Sequence, residues 1–479
     1  MHYSPGAPIL RSYDLVNWEY IGHSVPSLSW SSKYNLANGQ NAYVKGIWAS
    51  TMRYRKYDNK WYWIGCIEFG SLMIDTSITG GLATTYIYSA SSVTGPWSIA
   101  ATLNTCFYDA GLLIDDDGTM YVAYGNTKLN VAQLSSDGKS IVKTQQIYDA
   151  TNTQGTLEGS RMYKRNGLYY IFTTKPANQE WVLKASSPFG TYSIKFLANS
   201  VSPPISGGGN PHQGGIVDLQ NGNWYYCAFV DAYPGGRVPV LAPVTWGSDG
   251  FPTLATVNGA WGGSYPMPLP SHPLASLVGT DSFSGTSLGP AWEWNHNPDT
   301  SKFTVSNGLS LSTATVTVDI YQARNTLTHR IHGPISTATI ILDSTNMADG
   351  DRAGLALFRQ SSAWIGVKND GGKLTVGMTN NILMNADWTT ANTGATVASA
   401  SASKGKLWLR STVNINPGSG RTGSFSYSTD GSSFVSLGPA FTLDNTWQFF
   451  MGYRWGIFNY ATKALGGKVQ ITSFTQTTS

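Results

Sequence analysis

Apolar and aromatic residues in this chain come in short alternating runs separated by tight polar turns, and one arrangement recurs. Ala49-Ser50-Thr51-Met52-Arg53-Tyr54 turns at Asp58-Asn59 into Trp61-Tyr62-Trp63-Ile64, and Gly111-Leu112-Leu113-Ile114 turns at Asp117-Gly118 into Met120-Tyr121-Val122-Ala123-Tyr124. Ser160-Arg161-Met162-Tyr163 turns at Asn166-Gly167 into Leu168-Tyr169-Tyr170-Ile171-Phe172, and Gly215-Ile216-Val217 turns at Asn221-Gly222 into Trp224-Tyr225-Tyr226. Asn-Gly and Asp-Gly between such runs signal hairpins, because type I′ turns need positive φ at both central residues. The repeat of roughly 50–60 residues suits propeller blades. Ser89–Trp97 and Lys184–Tyr192 read as outer strands, and Leu10–Trp18 reads as the outer half of a blade without its inner hairpin. The pattern predicts an all-β chain: a five-bladed β-propeller over 1–272, its first blade incomplete, then a jelly-roll β-sandwich over 280–479. The Thr-, Ala- and Ser-rich stretch from Thr389 to Ser403 is expected to be a surface loop. No long helical period is present.

Composition narrows the function. The chain has 479 residues, of which only 12% are charged, with 31 Lys+Arg against 27 Asp+Glu. A net charge of +4 over this length provides no basic stripe for nucleic acid. No apolar run reaches the ~18 residues of a membrane helix. Cys66, Cys106 and Cys227 are too few for a disulfide scaffold and lack zinc spacing. One bridge plus a free thiol, or three buried thiols, are equally open. Met1 leads directly into His2-Tyr3-Ser4-Pro5-Gly6 with neither a charged nor an apolar leader region, so no secretory signal is read and the chain is expected to start inside a structural element.

The hairpin turns serve as a ruler for the inner strands, whose ends converge on one mouth of a propeller. Asp109 lies nine residues before Gly118, and Glu158 nine before Gly167. Gln213 and His212 lie nine and ten before Gly222, and Trp48 eleven before Asn59. Singly, Asp109 reads equally well as a turn cap and Glu158 as a partner of Arg161; the shared phase predicts two carboxylates facing each other across the channel. The run Asp115-Asp116-Asp117 reads as turn chemistry. Paired carboxylates in an aromatic mouth suggest glycoside hydrolysis, with one carboxyl kept protonated by its neighbour's charge.

In order along the chain, these residues resemble glycoside hydrolase family 43. The similarity is carried by Ser4-Pro5-Gly6-Ala7-Pro8-Ile9 with Ser12-Tyr13-Asp14-Leu15-Val16-Asn17-Trp18, by Gly46-Ile47-Trp48-Ala49 and by Tyr108-Asp109-Ala110-Gly111-Leu112. It continues through Leu157-Glu158-Gly159, His212-Gln213-Gly214-Gly215, and Gly236-Arg237 followed by Leu241-Ala242-Pro243. Trp292–Pro298 and Ala323–Thr328 resemble the family's appended concanavalin-like sandwich. The resemblance implies an inverting hydrolase in which Glu158 is the general acid and Asp109 raises its pKa and orients it. Trp48 and Arg237 would grip the terminal sugar, with His212 and Gln213 beside them. No cofactor is implied, although the resemblance leaves room for a calcium ion or water at the axis beside His212.

The look is closest to fungal α-L-arabinofuranosidases acting on arabinoxylan, with exo-β-1,4-xylosidase as the alternative. The family's general base precedes the Ser-Pro-Gly-Ala-Pro segment and has no counterpart here. The chain is therefore expected to be a truncated enzyme of low activity, or a glycan-binding protein. Arabinoxylan as partner, a monomeric state and an extracellular location complete the expectations.

Overall fold

The computed structural model describes residues 1–68 and 84–479. Strands dominate, and the helical pieces among the described residues are short 3-10 turns such as Ser32–Asn35 and Ile320–Gln322. Each predicted hairpin opens an antiparallel sheet. The first comprises Gly46–Ile47 and Thr51–Arg55 on one side of Lys60–Glu68, then Thr84–Ala90 and Ser98–Leu103. The second runs Gly111–Ile114, Met120–Tyr124, Lys128–Leu134, Ile141–Asp149, and the third Glu158–Arg165, Leu168–Lys175, Gln179–Ala185, Ser193–Asn199. The fourth runs His212–Asp218, Trp224–Asp231, Arg237–Trp246, Pro252–Leu254. Arg165 pairs with Leu168 across Asn166-Gly167, whose φ values of 50° and 76° are those of a type I′ turn.

These four sheets pack as propeller blades, with aromatic side chains filling the spaces between them: Tyr170, Phe172, Tyr226 and Trp261 form one such layer. Four full blades are formed, and where the incomplete first blade is expected Gly6–Arg11 and Glu19–Val25 make a two-stranded sheet. Tyr3–Ser4 leaves the propeller altogether and pairs with Trp292–Asn295 in the sandwich.

The sandwich packs an eight-stranded sheet on a nine-stranded one over a single core that includes Leu355, Ile365, Trp455, Ile340, Leu409 and Phe474. The stretch expected to be a loop is a strand, Thr390–Ser401, laddered onto Lys373–Met384 at the edge of the eight-stranded sheet. Its Thr-rich alternation suits a half-exposed edge, and the long neighbouring strand satisfies its backbone.

Propeller and sandwich meet through buried polar chemistry. Glu293, 2% exposed, is paired with Arg330 at 3.0 Å and also with Arg454, with His23 at 3.6 Å. The two arginines hold its carboxyl far below the usual range despite burial. Asn297 of the sandwich accepts from Leu28 N at 3.0 Å and donates to Leu28 O at 2.9 Å. Cys66 and Cys106 form a disulfide, and Cys227 is a free, exposed thiol, so the chain has one bridge and one free thiol.

Candidate active site

Glu158 is the first residue of its inner strand, where a bulge separates the Glu158–Thr174 pair from the regular ladder beginning at Arg161. Its backbone is tied down by Thr173 Oγ1, which donates to Glu158 O at 2.8 Å. On the side chain, Oε2 accepts from Tyr108 Oη at 3.1 Å and from Asn126 Nδ2 at 2.8 Å. Burial pushes the carboxyl pKa up, against the opposing pull of Tyr108, the Arg237 charge and Asn126. The group is thereby biased towards its protonated form, which is what a proton donor requires.

Asp109 acts on this residue through the backbone. It is 7% exposed, and its Oδ2 accepts from Gly159 N at 2.9 Å, the amide immediately after Glu158. Asp109, Gly159 and Gln213 all have positive φ, at 52°, 73° and 50°, which aligns the starts of three successive inner strands. Asp109 is thus the counterpart of Gly159, and Glu158 that of Tyr108. The turn ruler misses by one because Ile114 pairs with Met120 across a longer connection than the Asn166-Gly167 turn. Asp109 accepts from the backbone amide that follows Glu158, and desolvation leads the upward shift of Glu158.

Gly159 needs its missing side chain as well as its φ: a Cβ would come within 2.6 Å of Gln213 Cγ. Gln213 in turn is fixed by its amide, which donates to Glu180 Oε2 at 2.9 Å. Glu180 is fully buried, and desolvation raises its pKa to about 8. His212, 1% exposed, has Nδ1 2.8 Å from Asn210 O, and its ring packs edge-on against Phe229. Burial lowers its pKa, so it is neutral near pH 7 and Nδ1 carries the proton. Among the described residues no three His, Cys, Asp or Glu side chains are grouped to hold a metal ion, and the nearest acid to His212 Nε2 is Asp231 Oδ2 at 4.0 Å.

Arg237 begins its strand opposite Asp231, and Nε donates to Asp231 Oδ1 at 3.1 Å. Its guanidinium lies 4.3 Å from the Phe229 ring centroid and 5.1 Å from that of Phe450, a sandwich residue. Phe450 also meets Trp48 edge-on, with centroids 5.2 Å apart. The Trp48 indole Nε1 is buried and has no hydrogen-bond partner among the described residues. The sandwich loop is held there by Tyr233 Oη donating to Phe450 O at 3.2 Å and Tyr453 N donating to Pro234 O at 3.1 Å. Gly452 permits this approach, since a Cβ would lie 2.0 Å from Gly235 O.

Trp48, Asp109, Glu158, His212, Gln213 and Arg237 all line one cavity of about 3260 Å³ that continues along the propeller–sandwich boundary as far as Glu293 and Arg330, with Trp447 and Phe450 on its sandwich side. The structure therefore brings together all six residues named from the sequence. It adds Tyr108, Asn126, Asp231 and Phe450. Tyr108 stands beside Asp109 and could have been nominated on that ground; nothing in the sequence links Phe450 to Trp48.

A mouth of this kind on a propeller, backed by a sandwich, defines a carbohydrate-active hydrolase fold. Residues 1–252 match the model for glycosyl hydrolases family 43, and 280–476 match the β-xylosidase C-terminal concanavalin A-like domain. The chain belongs to glycoside hydrolase family 43. It is 45% identical, with a TM-score of 0.93, to a solved GH43 glycoside hydrolase engineered in its active site to display both endo-xylanase and exo-arabinofuranosidase activity; 99% of this chain and 94% of that one are covered. A β-xylosidase of Formosa agariphila is 26% identical over 99% of this chain and 85% of its own length. A non-reducing-end α-L-arabinofuranosidase of Bacteroides ovatus is 27% identical over 62% of this chain and 56% of its own.

Proposed function

We propose that the chain is an inverting α-L-arabinofuranosidase that removes terminal arabinofuranosyl side chains from arabinoxylan outside the cell. The observation that carries this reading is Glu158, a carboxyl raised in pKa by burial at the floor of a cleft and aligned by Tyr108 and Asn126. Glu158 protonates the leaving oxygen. Asp109 holds the Gly159 amide and so fixes where the Glu158 strand begins. Trp48 lines the cleft and offers an aromatic surface to the sugar, and Arg237, stacked between Phe229 and Phe450, offers donors to its hydroxyls. The wall formed by Phe450 and Trp447 leaves the cleft open along the domain boundary, which suits a polymer approached from its side chain. The likeness to a solved GH43 enzyme engineered to display both endo-xylanase and exo-arabinofuranosidase activity is in keeping with an arabinofuranosyl substrate, and the β-xylosidase of Formosa agariphila keeps exo-β-1,4-xylosidase as the alternative.

Inversion also needs a carboxylate on the opposite face of the sugar to activate water. Among the described residues the other propeller carboxylate lining the mouth is Asp231, and it is engaged by Arg237. We therefore expect slow turnover, with glycan binding as the second reading. Arabinose and xylose release from arabinoxylan and from aryl glycosides tests the assignment: arabinose in excess supports it, and xylose in excess establishes the exo-β-1,4-xylosidase reading. Asp231→Asn tests the base. If this variant loses residual hydrolysis while still binding arabinoxylan, Asp231 activates the water and the expectation that no base is present fails.

A further inference from the structure

The outer face of the nine-stranded sandwich sheet carries a second feature that shares no residue with the catalytic cleft. Two neighbouring rungs of that sheet run Ser473–Ile341–Trp408–Ser428 and Thr475–Thr339–Arg410–Ser426. Trp408, Arg410, Thr339, Ile341, Ser473 and Thr475 line a depression of about 200 Å³, the scale of one sugar ring, closed at one end by Phe434 and Gly431. Its parts are fixed in place. Gly431, at φ 79°, lies against the indole, where a Cβ would come within 2.8 Å of Trp408 Cε2. Arg410 is stacked on Phe434 with 3.4 Å from guanidinium carbon to ring centroid, and its Nε donates to Thr339 Oγ1 at 2.9 Å.

Among the described residues the charge in this depression has no counter-ion: Arg330, Arg454, Arg352 and Arg359 of the same domain each pair with a carboxylate and Arg324 and Arg421 donate to backbone carbonyls, whereas Arg410 has only Thr339 Oγ1. The nearby Asp430 is already engaged, its Oδ1 accepting from Ser432 N, Ser433 N and Ser428 Oγ. A half-buried guanidinium stacked flat on an aromatic ring presents its remaining N–H groups as a preformed fork for a carboxylate. The adjoining indole and the row of hydroxyls suit a sugar ring.

We propose that this depression binds an acidic pyranose, a uronic acid substituent on a plant glycan, with Trp408 against the sugar ring and Arg410 paired with its carboxylate. The site would hold the polymer by a side chain different from the one the propeller removes. Only the choice of a xylan as carrier rests on the function proposed above.

The test compares two probes, a xylo-oligosaccharide bearing one glucuronic acid and the same oligosaccharide without it, titrated by calorimetry against the full chain and against Arg410→Gln. The acidic probe should bind the wild type more tightly, and Arg410→Gln should weaken it by roughly ten-fold while leaving the neutral probe unaffected. Trp408→Ala, checked for folding by its melting temperature, should weaken it as well; Arg410→Gln carries the test if that variant unfolds. Equal affinity of the wild type for both probes, or unchanged binding by Arg410→Gln, overturns the proposal. Arabinose release by the same wild-type chain is read separately, so failure of the catalytic reading leaves this result interpretable.

Discussion

Two desolvated glutamates, one in the propeller and one in the sandwich, have been driven in opposite directions. At the domain boundary, Glu293 is surrounded by Arg330, Arg454 and His23, and its carboxyl is held far below the ordinary range. At the propeller mouth, Glu158 faces neutral donors on Tyr108 and Asn126, feels Arg237 only at longer range, and is pushed up. Burial alone does not decide the charge of a carboxyl; the supply of cations does. One glutamate is therefore a structural anion and the other a candidate acid.

That contrast can be broken by substitution. Glu158→Gln should lower hydrolysis of arabinoxylan by about 10²–10⁴-fold with little change in melting temperature, as measured by reducing-sugar release and calorimetry. Glu293→Gln should do the reverse: it strands the buried Arg454 and the partly buried Arg330 and should cost about 3 kcal/mol of stability, read by denaturant unfolding. If Glu293→Gln instead abolishes activity without destabilising the chain, the two roles are misassigned. Asp109→Asn weakens the acceptor for Gly159 N and lets the Glu158 strand shift. It should reduce kcat by up to about 10²-fold while KM changes little.

The dependence on pH sharpens the comparison. Glu293, depressed in the folded state, contributes stability above its unfolded pKa near 4.5, and that contribution is lost as pH falls through the depressed value. Glu180 is raised to about 8, so the folded state holds its proton longer than the unfolded state does. Its stabilising contribution is complete below about pH 4.5 and is lost as pH rises towards 8. Urea unfolding across this range should show a downward slope that flattens in Glu180→Gln.

Much of this architecture is legible in the sequence because it is local. Asn166-Gly167 forms the type I′ hairpin that its sequence announces, and the repeated Tyr-rich second strands fill the spaces between blades. The position of Glu158 could be read from the same punctuation. Its relation to Asp109 could not, because the two hairpins close with connections of different length and the ruler slips by a residue. Non-local pairing is the other blind spot. Tyr3–Ser4 reads as propeller by continuity yet finds its partner at Trp292–Asn295, and Thr390–Ser401 reads as a loop until Lys373–Met384 is laid beside it. Phe450 reaches Trp48 and Arg237 only because Gly452 lets two backbones touch.

The account stands on the protonation state of one side chain, which can be measured without turnover. Carbon-13 NMR of glutamate carboxyls, with the Glu158 resonance assigned by its disappearance in Glu158→Gln, should give a midpoint above 4.5 for that group. A midpoint at or below 4.5 would mean that the mouth of the propeller holds an anion, and the assignment of Glu158 as proton donor would be contradicted.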